Sequence, residues 1–168
     1  MPAVFEVEKD PTLSEAERYR DLETALVSLI ESEPDALANL SNAAALLAHS
    51  LDAINWCGFY LLRGEELVLG PFQGRPACVR IPLGRGVCGR AARERATLVV
   101  PDVSRFPDHI TCDPASRSEI VVPIVENGVL RGVLDIDAPE VGRFDRDDLI
   151  GLEKFVAALV PRITWERL

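Results

Sequence analysis

The sequence predicts an α+β domain, with an antiparallel central sheet of about six strands, helices packed on one face and ligand loops on the other. Three observations carry this. Helical periodicity is confined to the two ends of the chain, while the middle alternates with period two. The strand candidates follow one another through hairpin-like connections. Pro101 to Arg117 has no periodicity and contains Pro101, Pro107 and Pro114; an irregular segment of that length in a compact domain is usually a lid or binding loop.

Composition sets the frame for those elements. A chain of 168 residues, 48% hydrophobic and 27% charged, is an ordinary globular domain. At that size it buries roughly 68–70% of its unfolded surface and needs no disulfide or metal to hold its core. Eighteen Lys and Arg against 27 Asp and Glu leave a net charge of −9, without any basic run, which argues against nucleic acid and anionic membrane as partners. Met1 to Asp10 is acidic and lacks the apolar stretch of a signal peptide, and the run Ala43 to Ala48 is too short to span a bilayer. The expected setting is a reducing cytoplasm, where structural disulfides are rare.

Thr12-Leu13-Ser14-Glu15 reads as a capping box opening a first helix, with Leu22, Leu26, Leu29 and Ile30 as its apolar stripe. A second helix starts near Pro34 and places Leu37, Leu40, Ala44 and Leu47 on one face. Strands follow over Ile54–Arg63, Leu67–Gln73 and Cys78–Ile81, with Gly64 as a turn. A Gly-rich turn, Gly84 to Gly89, leads into a short helix, and Thr97–Val100 is a strand. Glu119–Val125 and Val129–Asp137 form a hairpin, and Asp145 opens the last helix, striped by Leu149, Leu152, Val156, Leu159 and Ile163. No repeat or linker divides the chain, so residues 1–168 read as one domain: N-terminal helices over 12–50, sheet and site loops over 54–137, and a C-terminal helix over 145–165.

The hairpin locates a cluster. Ile120, Val122 and Ile124 on one strand, and Leu130, Leu134 and Ile136 on the other, are expected to face the core. All are even-numbered, so a three-residue loop, Glu126-Asn127-Gly128, with Gly128 in a bulge, keeps them together. That register sets Glu119 opposite Asp135, with Asp137 next along the same face. Like charges directly opposed destabilise a sheet, unless a cation binds there or one acid keeps its proton. The alternative is a solvated edge with ordinary surface acids. On the first strand, Trp56, Gly58 and Tyr60 share the open face, where two aromatics can wall a small ligand, although ordinary sheet packing gives the same pattern. Cys57, Phe59 and Leu61 face the core, which makes Cys57 a structural thiol.

Gly84-Arg85-Gly86-Val87-Cys88-Gly89 matches a dinucleotide fingerprint, but it sits mid-chain before a short helix with no second mononucleotide half. Its glycines suit a tight turn whose amides take a small anion such as a carboxylate. Zinc on Cys78, Cys88, Cys112 and His109 is disfavoured because no paired knuckle exists, so no metal or cofactor is expected. His49 ends the second helix as a dipole partner. His109 is either a solvated loop residue or a group that lowers a thiol pKa. Cys88 opens a helix whose N–H groups favour a thiolate, Cys112 sits on the long loop, and Cys78 precedes the Gly turn. Two or three thiols around one pocket suit sulfoxide chemistry, in which one thiolate attacks and another resolves the sulfenic acid.

An ordered set of motifs now resembles a known family. It comprises Asn55-Trp56-Cys57-Gly58-Phe59-Tyr60; Gly70-Pro71-Phe72-Gln73-Gly74; Ala77-Cys78-Val79-Arg80-Ile81-Pro82; Gly84 to Gly89; Phe106-Pro107 with His109-Ile110; Cys112-Asp113; Ser118-Glu119-Ile120; and Leu134-Asp135-Ile136-Asp137. Together these resemble free methionine-(R)-sulfoxide reductases, which are GAF-domain enzymes. The resemblance implies a GAF fold, a cytoplasmic homodimer, thioredoxin as electron donor, and free L-methionine (R)-sulfoxide as substrate. It implies that Cys112 attacks, that Cys78 and Cys88 are the disulfide-forming partners, either of which can resolve, and that Trp56 and Tyr60 enclose the methylthio end. Glu119, Asp135 and Asp137 then hold the amino group and act on the sulfoxide oxygen. Cys57 matches no catalytic position. The competing reading is a non-catalytic GAF sensor of a small molecule or of oxidants, although the sequence shows no kinase, cyclase or DNA-binding segment to report binding.

Overall fold

The computed structural model describes residues 7 and 9–168. Two helices, α1 (Glu15–Ile30) and α2 (Ala36–Ser50), precede strands β1 (Trp56–Arg63), β2 (Glu66–Gln73) and β3 (Arg80–Pro82). Helix α3 (Gly86–Glu94), strand β4 (Leu98–Val100), the hairpin β5 (Ser118–Glu126) and β6 (Val129–Ala138), and helix α4 (Arg146–Leu159) complete the order. The six strands form one sheet in the order β3-β2-β1-β6-β5-β4, with every neighbouring pair antiparallel. The expected α+β architecture is therefore present.

Its two faces differ. Helices α1, α2 and α4 cover one, over a cluster containing Leu26, Leu40, Leu47, Phe59, Ile120, Leu134, Ile136 and Phe155. The first helix is capped one turn-start later than expected: Ser14, not Thr12, accepts from the Glu17 amide, while Glu17 returns a carboxylate to the Ser14 amide. Two overlapping polar tetrapeptides fit the pattern, and only the later one starts in phase with Leu22, Leu26 and Ile30. Leu37 is 57% exposed rather than part of the α2 stripe, since Asp35 caps this helix and Ala36, Leu40, Ala43 and Leu47 fill the buried face. Ile163 is buried as expected, although it lies beyond the end of α4. Tyr19 of α1 lies over Gly151 of α4, where a Cβ would come within 2.1 Å of the ring, and donates its hydroxyl to Asp148 Oδ1 at 2.6 Å.

The opposite face carries α3 and the loops. The expectation of helices on one face thus needs correction for α3. Val87, Cys88, Ala91 and Ala92 of this helix pack on Trp56, Tyr60, Val121 and Val133, forming a second and smaller cluster.

The hairpin is built differently from expectation. Its turn has two residues, Asn127 and Gly128, both at positive φ (48° and 80°), the pattern of a type I′ turn. Pairing starts as Glu126↔Val129 and Val125↔Leu130, then shifts by one residue to Ile124↔Gly132, leaving Arg131 as a bulge. The bulge restores the even-with-even pairing that the sequence reading assigned to a longer loop. It also turns Leu130 onto the α3 face, away from Leu134 and Ile136. Glu119 consequently lies opposite Asp137, not Asp135, which pairs with Val121.

Candidate active site

The α3 face holds a cleft lined by Trp56, Tyr60, Cys88, Cys112, Glu119, Asp135 and Asp137. Of the eight residues expected there, only Cys78 is not in the lining, and it is bonded to one that is. The floor comes from sheet periodicity. Trp56, Gly58 and Tyr60 of β1 face the cleft, and β6 runs alongside with Trp56↔Asp137 and Gly58↔Asp135. Trp56 is stacked between Tyr60 (ring centroids 5.9 Å apart) and Phe72 (5.3 Å). Gly58 permits this stack, because a Cβ there would lie 2.3 Å from the Phe72 Cβ. Trp56 Nε1 donates to the Arg75 carbonyl at 3.1 Å, and the Tyr60 hydroxyl donates to the Cys78 carbonyl at 2.9 Å. The wall is thus fixed by stacking and by satisfied polar tips. Phe72 had no role assigned from the sequence, although its Gly-Pro-Phe-Gln-Gly setting was conspicuous.

The carboxylates converge as expected, in a drier place than a solvated edge. Glu119 and Asp135 are each 6% exposed. Burial raises the pKa of Glu119, Asp135 and Asp137 well above the ordinary carboxylate range, and mutual repulsion adds to it: Asp137 acts on Glu119, Glu119 on Asp135, and Asp135 on Asp137. The three titrate as a set, each favouring its protonated form more than a solvated carboxyl does. Asp135 Oδ1 is buried and has no hydrogen-bond partner. His109 Nε2 lies 3.5 Å from Glu119 Oε2, with its side chain 15% exposed, so it is not a solvated loop residue. Desolvation lowers its pKa, which favours the neutral imidazole.

The cysteines divide into three environments. Cys78 and Cys112 form a disulfide across 34 residues of sequence. Cys88, in the first turn of α3, lies 3.8 Å from Glu119 Oε1, and burial followed by the charges of Asp135 and Glu119 pushes its pKa well up. The expected thiolate at this helix start is therefore corrected: loss of water outweighs the helix N–H groups. Cys57 is fully buried on the helix-covered face, where desolvation raises its pKa, as its strand phase implied. Of the four zinc candidates weighed from the sequence, Cys78 and Cys112 are joined to each other. Donor atoms of Cys88, Glu119 and Asp135 do lie within 4.8 Å of one another. Burial and mutual repulsion make the two carboxyls costly to ionise, and a neighbouring ammonium would offset that cost.

The cleft's rim comes from the Gly turn and the long loop. The Arg85 guanidinium grips the Asp108 carboxylate through two of its nitrogens, Nε and Nη2, the latter at 2.8 Å, joining the start of α3 to the loop. Gly86, at φ +61°, lies against Ile110. A tight turn is confirmed for Gly84–Gly89: the Gly84 amide donates to the Gly89 carbonyl at 2.7 Å, and a Cβ on Gly89 would lie 2.4 Å from the Pro82 carbonyl oxygen.

Comparison with known proteins follows the same line. The GAF domain family model matches residues 35–161. A free methionine-R-sulfoxide reductase of Escherichia coli (strain K12) is 50% identical over 147 residues, covering 88% of this chain and 89% of its own. The structure of fRMsr of Staphylococcus aureus in its reduced form superposes with a TM-score of 0.84 at 54% identity, over 87% of this chain and 95% of that one. The free methionine-R-sulfoxide reductase of Neisseria meningitidis, in complex with its substrate, gives a TM-score of 0.89 at 42% identity over 96% and 97%. The chain belongs to the GAF domain family and, within it, to the free methionine-R-sulfoxide reductases.

Proposed function

We propose that the protein reduces free L-methionine (R)-sulfoxide to L-methionine, acting as one domain over residues 1–168. The observation that carries this reading is the Cys78–Cys112 disulfide at the edge of a cleft floored by the buried Glu119 and Asp135 with the half-buried Asp137, and walled by Trp56 and Tyr60. In the reduced protein the Cys112 thiolate attacks the sulfoxide sulfur. The sulfoxide oxygen passes from the methionine sulfur to the Cys112 sulfur and takes a proton from one of Glu119, Asp135 or Asp137, whose raised pKa values favour a protonated acid. Methionine leaves, and Cys112 retains the oxygen as a sulfenic acid. The Cys78 thiol attacks that sulfur, expels water and gives the disulfide. An external dithiol then returns both cysteines to thiols by exchange.

The same groups select a free amino acid. An ammonium beside the unpartnered Asp135 Oδ1 supplies the counter-charge that lets the acids ionise. The substrate carboxylate goes to the amides at the start of α3, which lacks a side-chain cap. A methionine sulfoxide inside a peptide offers neither charge. Trp56 and Tyr60 take the methylthio end. Thioredoxin is the dithiol donor in this reading, and the working form is a homodimer. The cytoplasm supplies the reducing conditions that each turnover requires. Among the described residues no helix is long and apolar enough to cross a membrane.

The R and S sulfoxides, each free and peptide-bound, test the proposal with thioredoxin or dithiothreitol as reductant. Methionine released from the free R form well beyond one equivalent per chain is expected. Turnover of the peptide-bound form at a similar rate, or release that stops at one equivalent, overturns it.

A further inference from the structure

Two residues in the motifs, Asn55 and Asp113, have no part in the chemistry above, yet they meet. The Asn55 side-chain amide donates to Asp113 Oδ2 at 3.1 Å and to Ser116 Oγ at 3.0 Å, bridging 58 and 61 residues of sequence. Asp113 is buried and follows Cys112 directly. Its other oxygen accepts the Ala115 amide at 2.9 Å, and its carbonyl accepts the Ser116 amide at 3.1 Å. Asn55 immediately precedes β1, and its own amide donates to the Asp137 carbonyl at 2.9 Å. The Ser116 hydroxyl also acts on the Asp137 carboxyl, partly offsetting the effect of burial. The tight turn that follows Cys112 is thus pinned to the end of β1 and β6, beside Trp56 and Asp137. Elsewhere on this loop, Arg85–Asp108 is a half-exposed ion pair, of the kind that contributes little.

We propose that Asn55 is a positioning residue for the redox couple: its amide, held between Asp113 and Ser116, fixes the Cys112 backbone within reach of Cys78 and so raises the effective concentration of one thiol at the other. The proposal takes from the reading above only that Cys78 and Cys112 are the exchanging pair. For a disulfide closing such a loop, the equilibrium against an external thiol measures how well the fold holds the two sulfurs together. A hydrogen bond to a charged group contributes roughly 1.5–3 kcal/mol, about a tenfold or greater change in that equilibrium if the bond is made only when the loop is seated.

The test equilibrates the full chain with mixtures of reduced and oxidised glutathione, in which the protein disulfide and two glutathione thiols exchange for the protein dithiol and glutathione disulfide. Blocking free thiols and weighing tryptic peptides gives the fraction of Cys78–Cys112 bond. Asn55→Ala is expected to make the disulfide about tenfold easier to reduce, a potential about 30 mV higher. Asn55→Asp keeps the volume but loses the donor and sets a second carboxylate against Asp113, so its shift should exceed that of Asn55→Ala. If Asn55 merely filled space, the order would be reversed. Ser116→Ala removes one arm, should shift the potential in the same direction by less, and serves if an Asn55 variant does not fold. Potentials equal to the parent's in Asn55→Asp and Ser116→Ala overturn the proposal. The measurement uses no methionine sulfoxide, so it stands apart from any failure of the proposed activity.

Discussion

Strand β6 faces two different solvents. Leu134 and Ile136 point into the cluster under α1, α2 and α4, while Asp135 and Asp137, one residue along in each case, point into the cleft beneath α3. Cysteine shows the same contrast: Cys57 is an inert core thiol, and Cys78 and Cys112 are joined by a bond that exchange can open. Both faces are largely dry, so burial alone does not separate them. On the helix side burial removes hydrocarbon from water and stabilises the fold. On the α3 side it confines acids that would rather be hydrated, which raises their pKa values and leaves Asp135 Oδ1 without a partner. The sheet's period of two keeps these environments a single residue apart.

The widest separation between the faces should come from the cysteines. Cys112→Ser is expected to abolish methionine formation, while Cys57→Ser keeps turnover and loses about 1–3 kcal/mol of stability by placing a hydroxyl in the apolar core. Chromatographic assay of methionine and thermal melts on both proteins check this. A dead Cys57→Ser that melts like the parent would erase the distinction.

Adjacent residues of β6 sharpen the contrast. Leu134→Ala should cost about 2–5 kcal/mol of folding free energy while leaving kcat/KM of the folded protein within a few-fold. Asp135→Asn should lower kcat/KM by about one to two decades through loss of one charge-assisted contact, with no loss of stability. Urea titrations beside steady-state kinetics would show two opposite patterns. A common pattern in both variants would mean that the faces are not functionally separate.

The pH dependence of stability has a definite sign. Glu119, Asp135 and Asp137 have folded pKa values raised above those of the unfolded chain. Below the ordinary carboxylate range both states are protonated, and the acids impose no ionisation cost. As pH rises from there toward the raised folded values, the unfolded chain releases protons that the folded one retains, so stability falls. Each unit of separation is worth about 1.4 kcal/mol at full titration. Melting temperature against pH should therefore decline more steeply in the parent than in Glu119→Gln. Equal slopes would show that Glu119 titrates normally.

Much of this was legible in the sequence because period-two alternation assigns faces directly. Trp56, Tyr60, Glu119, Asp135 and Asp137 fell on the correct side without knowledge of their partners. The bulge at Arg131 was not legible, since a loop of three residues and a turn of two plus a bulge give the same parity from Ile124 inward. Parity was right, while the opposing pair was wrong by one step of the ladder. The contact of His109 with Glu119 and the place of Phe72 in the Trp56 stack went unread for another reason: both are made across the chain, and no local pattern encodes them. Cys88 was misread because a helix start is visible in sequence, whereas the depth of its burial is not.

The smallest expected effect lies at the far end of the hairpin, where the two faces share one turn. Gly128 has φ +80°, and a Cβ there would meet nothing within 4 Å, so Gly128→Ala introduces backbone strain without a clash. The left-handed conformation costs a residue with a Cβ about 1–2 kcal/mol. For a chain of this size that lowers the melting temperature by roughly 2–8 °C, at about 2–4 °C per kcal/mol. The register beyond the turn is fixed separately. Arg131 in the bulge donates to Glu126 at 2.9 and 2.7 Å and to Glu166 at 2.7 Å, and the core residues Ile120, Val122, Leu134 and Ile136 would all have to change face for the strands to slip. The strain should therefore stay local, and kcat/KM for free methionine sulfoxide should equal the parent's at temperatures below the melt. A variant that loses activity in parallel with its melting temperature would show that the turn sets the positions of Glu119 and Asp137, and that the bulge does not insulate the cleft from the far end of the hairpin.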